Sequence, residues 1–538
     1  LDARTKQDYQ FYSSNTSTRQ LGTSYAYNGM SKYTMMTLEN MLFYNRDFGK
    51  DHTVGVTLLQ SIQEDKTESN KIGVQDITSD KLLYNDLASS SIIDNIGSNL
   101  TKWTMASFMG RLNYSYKERY LFTGSVRYDG SSRLAEGHKW VAFPSVALAW
   151  RVSEEAFMKR QNVMSNLKLR AGWGKTGNSA IDPYMTRGGL SLSKYVWDNG
   201  ASEVLGYAPS IMANSELTWE TTKQWNVGID FGFLNNRLSG TVDLYLQHTS
   251  DLLLERQIPV VSGFGSVLSN VGETKNKGIE ISLSTLNVNT RAFQWTTDVM
   301  FYANKESIES LYNGKVDDVG NKWFIGHPIN VHYDYEKIGI WQNTSEDLAE
   351  MSEFNKNGAS FKPGDIKIWD NGDKKITEAD RKILGSTSPK FIASMVNNIT
   401  YKGFDFSIFL YASAGAMLNN NIEYLNKPGR ANSIIIDYWT PDNPTNAYPR
   451  PSVDNASPAY VKSLQYEKAD FLRVRNITLG YTLPEKLLKK VHARKIRVYL
   501  SANNPFIITG FSGIDPEGAR GYTAPSASTW MGGINLSF

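Results

Sequence analysis

The stretch Trp225-Asn226-Val227-Gly228-Ile229-Asp230-Phe231-Gly232-Phe233 places Trp225, Val227, Ile229, Phe231 and Phe233 on one side and Asn226, Gly228, Asp230 and Gly232 on the other. After Leu234-Asn235-Asn236-Arg237, the residues Leu238, Val242, Leu244 and Leu246 alternate in the same way with Ser239, Thr241, Asp243 and Gln247. A period of two is the signature of an extended strand with one apolar face, and two such runs around a tight Asn-Asn turn make a hairpin. Tyr120, Phe122, Gly124, Val126 and Tyr128 repeat the pattern against Leu121, Thr123, Ser125, Arg127 and Asp129. So do the stretches 404–410 and 496–503 and the final run, in which Trp530, Gly532, Ile534, Leu536 and Phe538 alternate with Met531, Gly533, Asn535 and Ser537.

Extending this reading along the chain predicts about seventeen strands with ends soft by a few residues. They lie near 33–47, 51–65, 101–116, 120–129, 143–153, 166–174, 221–233, 237–249, 274–286, 292–304, 320–327, 330–341, 391–402, 403–415, 470–482, 495–503 and 529–538. Short connections, such as 47–51, 116–119, 234–237 and Lys402-Gly403, alternate with long ones at 66–100, 175–220, 342–390, 416–469 and 504–528. An up-and-down barrel of the outer membrane has short periplasmic turns and long extracellular loops, which is this rhythm. A half-buried sheet of a water-soluble protein is the competing reading of any single strand. Against it stand Trp150, Trp173, Trp219, Trp225, Trp295 and Trp530 at or near strand ends, where amphipathic rings mark membrane interfaces. The apolar stripes also lack Lys and Arg over most of their length, as a cost of about 2–4 kcal/mol for a mid-bilayer cation requires.

Composition agrees. The 538 residues carry 57 Lys and Arg against 54 Asp and Glu, a net charge of +3 that provides no argument for a nucleic-acid partner. Cysteine is absent, which removes disulfides, thiolate metal sites and cysteine nucleophiles. A mean hydropathy of -0.40 and the lack of a long apolar run remove transmembrane helices and leave transmembrane strands untouched. The chain begins Leu1-Asp2-Ala3-Arg4, with no signal segment in view. Residues 1–32 are expected to form an extracellular loop or lead-in segment and 33–538 an all-β, antiparallel transmembrane barrel portion. An odd number of strands cannot close by antiparallel pairing, so the first strands and whatever fills the lumen are expected from a segment or chain outside this stretch.

Motifs for other chemistry fail on context. Gly172-Trp173-Gly174-Lys175-Thr176-Gly177 matches G-x-G-x-x-G, yet Asn178-Ser179-Ala180-Ile181-Asp182-Pro183 follows where a phosphate-binding helix should open. The run from Asp370 to Asp380 resembles a calcium loop with Trp369 at the first ligand position and Lys374 where glycine makes the sharp turn, so it is read as a turn and not as a metal site. His52, His138, His248, His327, His332 and His492 show no zinc spacing. No G-x-S-x-G elbow occurs, and no carboxylate pair stands out as a glycosidase dyad. Neither catalysis nor a cofactor is expected.

Several segments resemble one family, the SusC/RagA-type TonB-dependent outer-membrane transporters of Gram-negative bacteria. They are Leu167–Asn178, Thr218–Thr222 with Asn226–Asp230, Asn270–Glu280, Tyr438–Pro444, Phe471–Tyr481 and Gly533–Phe538. The resemblance implies a barrel of about 22 strands with a plugged lumen, energised through TonB. It also implies a SusD-like surface lipoprotein that acts as a lid for oligosaccharides or peptides. No plug or TonB box is recognisable here, so those parts are expected upstream. Outer-membrane lipid surrounds such a barrel, and Phe538 would be its carboxyl-terminal assembly signal. Tyr195, Trp197, Trp323, Trp439 and Tyr448 are candidate contacts to substrate or lid, because sugar rings stack on aromatic faces and loops carry binding function. The alternative for each is that it packs loops together. For the whole chain the alternatives are a passive porin, a siderophore-type receptor, or a secreted β-rich lectin or glycosidase.

Overall fold

A computed structural model of the chain describes residues 1–16, 22–197, 202–420, 436–451, 458–489, 493–517 and 526–538. Among these residues sixteen strands hydrogen-bond in an order that follows the chain. They are Asp2–Tyr12, Tyr25–Phe48, His52–Ile77, Ser90–Tyr116, Tyr120–Ser131, Trp140–Arg151, Met164–Asn178, Glu220–Phe233, Leu238–Ser250, Glu273–Asn289, Phe293–Ser310, Phe391–Tyr401, Phe404–Ala414, Phe471–Thr482, Lys495–Thr509 and Thr529–Ser537. Five further two-stranded ribbons lie in the connections. This is the expected all-β, antiparallel architecture, with two adjustments.

The sheet begins at residue 2 rather than 33. Asp2–Tyr12 pairs antiparallel with Tyr25–Met35, so most of the segment expected to be a loop is strand. Polar residues such as Arg4, Lys6, Gln7 and Gln10 blur its alternation, and backbone pairing to a long neighbour, invisible in the local pattern, holds it. In contrast, 320–327 forms no strand of the main sheet, and 330–341 divides into Val331–Tyr335 and Lys337–Ile340, which pair with Arg381–Ser386 and Ile366–Ile368 in separate ribbons. The sheet therefore has an even number of strands among the described residues, and the argument from an odd count does not hold.

The chain divides into two compact units. In the first (Leu1–Trp150, Ala171–Trp225 and His248–Glu273), residues 105–116, 120–131 and 140–150 show both faces of the sheet. On one face Leu112, Val126, Val146 and Leu148 are exposed, with no second layer of the described residues over them. Two aromatic rows bound that face. His52, Tyr116, Tyr120 and Trp150 follow one another with ring centroids 4.9, 6.3 and 6.3 Å apart at the short-turn end. Phe108, Trp140 and Tyr128 do the same at the other end, at 6.3 and 5.0 Å. From Tyr120 to Tyr128 is about 27 Å along the strand, or roughly 20 Å along a membrane normal at a ~40° tilt, comparable to the ~25 Å apolar band of outer-membrane barrels. The opposite face is a polar ladder. Thr123 donates to Asn113, Ser125 and Ser145 share a hydrogen bond of 2.7 Å, and Arg127 spans Asp129 at 2.7 Å and Ser107 at 2.9 Å. One tryptophan departs from the interface expectation: Trp219 is buried with Leu134, Phe143, Ile181 and Leu217, and its indole N–H donates to the Lys139 carbonyl.

In the second unit (Arg151–Arg170, Asn226–Gln247 and Thr274–Phe538) the polar face is charged. Arg170 joins Asp230 and Asp243 at 2.7 and 2.9 Å, and Arg497 joins Asp405 at 2.6 Å. Its hairpins close on backbone in the left-handed region. Leu234, Asn235 and Asn236 have φ of 53°, 57° and 60°. Lys402 and Gly403, with φ of 46° and 91°, connect the paired residues Tyr401 and Phe404 in the two-residue geometry that matches strand twist. This unit also carries a small lobe in its long connections. There the helix Ser345–Lys356, capped by the Thr344 hydroxyl accepting from Asp347 N, packs Met351 and Phe354 against Trp341 and Phe361. Next to it Ile340, Ile366, Ile368 and Trp439 form a second core.

Candidate functional site

The strands Gly189–Trp197 and Ser202–Ile211 pair antiparallel in a ribbon of the first unit. Strand alternation puts Tyr195 and Trp197 on one face with Ser191, Ser193, Val204, Gly206 and Ala208. The two rings lie 4.8 Å apart, and both are more than half exposed, at 59% and 57%. The result is an open aromatic shelf at the end of a floor of mostly small side chains. Such a shelf can stack a sugar ring or a peptide side chain without a rigid pocket.

Trp439 and Tyr448 come together in the lobe, where Trp439 N donates to the Tyr448 carbonyl and Tyr448 N to the Asp437 carbonyl. Their side chains differ in role. Trp439 is only 6% exposed, packs in the second core and donates its indole N–H to Gln342 Oε1 at 2.9 Å, which is the loop-packing alternative. Tyr448 lines a cavity of about 440 Å³ together with Lys337, Ser463 and Tyr466. Trp323 is half-buried in a tight turn held by reciprocal backbone bonds with Asp318. Phe538 follows the last strand with 76% of its surface exposed.

Lys337 is the group that sequence reading missed. Its ammonium donates to the Ala447 carbonyl at 2.7 Å, and burial without a counter-charge pushes its pKa below the usual lysine value. The only signal available was a lysine inside a run read as one continuous strand, which cannot announce a cavity. Two other lysines of the lobe are paired with an acid. Lys367 and Lys374 both donate to Glu350, at 2.7 and 2.9 Å, and these bonds hold the Glu350 carboxyl below its ordinary pKa.

The calcium-like loop is folded as a turn. Asp370, Asp373 and Asp380 bring one oxygen each within 4.8 Å of one another. Asp380 is fully buried and accepts from Asn371 N and Thr377 N, while Asp370 Oδ2 accepts from Gly372 N and Lys374 N. Lys374 holds the left-handed backbone usual for glycine there, with φ 58°, and sends its ammonium away to Glu350. The Gly172-to-Gly177 motif lies within the strand Met164–Asn178. A Cβ on Gly177 would fall 2.2 Å from the Phe143 ring, so packing and not phosphate requires that glycine.

Comparison with known proteins places this architecture. The family described as TonB dependent receptor-like, beta-barrel, matches residues 1–504. TonB-dependent receptor P26 of Formosa agariphila is 34% identical over 536 residues, covering 93% of this chain and 53% of the relative. TonB-dependent receptor SusC of Bacteroides thetaiotaomicron is 34% identical over 462 residues, covering 81% and 44%. The solved structure of the RagAB peptide transporter superposes with a TM-score of 0.77 at 26% identity, covering 96% of this chain and 56% of that one. The chain thus spans about half the length of the curated relatives it matches. These relatives are receptors and transporters of the Gram-negative outer membrane and not enzymes, which agrees with a sheet whose apolar face is uncovered. The chain belongs to the TonB-dependent receptor β-barrel family.

Proposed function

We propose that this chain is the barrel wall of an active nutrient importer for oligosaccharides or peptides. The observation that carries the reading is the two-sided sheet, with an uncovered apolar face between aromatic rows and a hydrogen-bonded polar face behind it. Lipid solvates the first face and a water-filled lumen the second. A wide outer-membrane barrel needs a plug, and the similarity to TonB-dependent receptors supports energy supply through TonB. Among the described residues, the strands Asp2–Tyr12 and Thr529–Ser537 each have a single neighbour in the sheet order, which supports further strands pairing at those edges. The similarity to SusC and to the RagAB peptide transporter supports a SusD-like lipoprotein lid over the long connections. The Tyr195 and Trp197 shelf is the substrate or lid contact that the exposure of its rings favours, and Trp323 and Tyr448 are further candidates in the second unit.

Uptake by cells tests this reading. A deletion strain complemented with the full gene should grow on the oligosaccharide or peptide mixture that the deletion strain cannot use, and a protonophore should stop that uptake. Uptake that continues at the same rate with the proton gradient collapsed would identify a passive porin instead.

A further inference from the structure

Lys337, on the wall of the lobe cavity, has no ion-pair partner among the described residues. Lys337 leaves the ribbon formed by Lys337–Ile340 and Ile366–Ile368 and reaches the Ala447 carbonyl, which uses one of its three N–H donors. No carboxylate among the described residues lies within ion-pair distance of it. The two acids that line the cavity are engaged elsewhere. Glu336 pairs with Lys382, and Glu467 accepts from Ser512 N at 2.8 Å, from the Ser512 hydroxyl at 2.6 Å and from Asn420. Tyr466 gives its hydroxyl proton to Asp334 at 2.8 Å, so its ring forms wall while its polar tip is held. Ser463 lies on the same wall and donates to the Tyr460 carbonyl, which leaves its oxygen as an acceptor.

A half-buried ammonium with one neutral acceptor retains a desolvation cost that only an anion offsets well, through a short, charge-assisted hydrogen bond. A neutral hydroxyl would take a donor without cancelling the charge. We propose that this cavity is a subsite for a carboxylate carried on a short oligomer, held by Lys337 beside Tyr448. The assignment deepens the importer reading, on which it rests for the source of the ligand: an acidic sugar unit or the terminal carboxylate of a peptide presents the same chemistry. A purely structural Lys337, tying residues 446–447 to the ribbon, would stabilise the lobe and make no distinction between acidic and neutral ligands.

The test is calorimetric titration of the full-length transporter, purified with its lid, against two matched probe pairs. One pair is trigalacturonate and its methyl ester; the other is tetra-alanine as the free acid and as the amide. The expected result is at least tenfold tighter binding of the acid form in one pair, with the pair that responds identifying the source. Lys337→Met should remove the difference, and Lys337→Arg should keep most of it. Equal binding of acid and neutral forms by the natural protein, binding of neither, or a difference that survives in Lys337→Met would each overturn the proposal. The comparison on the natural protein stands even if a variant does not assemble. An acid preference that persists in a protein whose deletion leaves uptake unchanged would overturn the importer reading and leave the subsite intact.

Discussion

At the residue scale, aromatic side chains of the same type do different work according to what covers them. Trp439 is enclosed by Ile340, Ile366 and Ile368, and truncation to alanine should cost the lobe about 3–5 kcal/mol, as large core truncations do. Limited proteolysis of the lobe would register the loss as rapid cleavage between residues 340 and 470. Tyr195 and Trp197 have their rings in the open, so the double substitution to alanine should leave assembly unchanged and weaken ligand or lid binding several-fold. Binding equal to that of the natural protein would remove both from the shelf assignment. Glu350 provides a pH test. Its folded pKa is depressed by Lys367 and Lys374, so its stabilising contribution is present above the unfolded glutamate value of about 4.3 and is lost as pH falls through the folded value. Glu350→Gln should therefore flatten the acid side of the lobe's stability profile, measured by proteolysis or hydrogen exchange between about pH 2 and 5. From sequence alone Trp439 and Trp197 could not be separated, because both are loop tryptophans and burial depends on distant isoleucines.

At the element scale, strand faces and turns were legible because their physics is local. A side chain that alternates with period two reports its face before any partner is known. Leu112 and Asn113 illustrate the consequence. Leu112 is exposed on the apolar face, and Leu112→Arg should cost about 2–4 kcal/mol of barrel stability if that face meets lipid. Asn113→Arg on the polar face forfeits the bond from Thr123 and about 1 kcal/mol. Refolding titrations into phospholipid would rank the two, and a larger loss for Asn113→Arg would contradict the assignment of faces. The Lys402-Gly403 turn supplies a second check. Gly403 has φ 91°, and a Cβ there would lie 2.8 Å from the Thr482 carbonyl oxygen. Gly403→Val should thus lower the fraction of assembled, heat-modifiable barrel well below that of a valine placed at the open Gly532. Less legible were elements whose partners are far away or outside the main sheet. Asp2–Tyr12 has too little apolar contrast to announce itself, and 330–341 alternates well enough to pass for one strand although two separate ribbons claim its halves.

At the scale of the whole molecule, the sheet needs two solvents, lipid on one side and water on the other. Delipidation of the isolated chain should accordingly cause aggregation through the face that carries Leu112, Val126, Val146 and Leu148, followed by light scattering as detergent is diluted. A clear, monomeric solution without detergent would favour a water-soluble β protein. The sequence by itself determined the strand class, the polar and apolar faces, the aromatic strand ends and the family, because each is written in residue type and short-range spacing. Only the tertiary structure decided which tryptophans are cores and which are surfaces, that the sheet starts at residue 2, and that Lys337 lines a cavity with no carboxylate of the described residues within ion-pair distance of it. Those features depend on contacts between residues tens to a hundred positions apart, and burial and charge pairing arise from such contacts rather than from the local pattern.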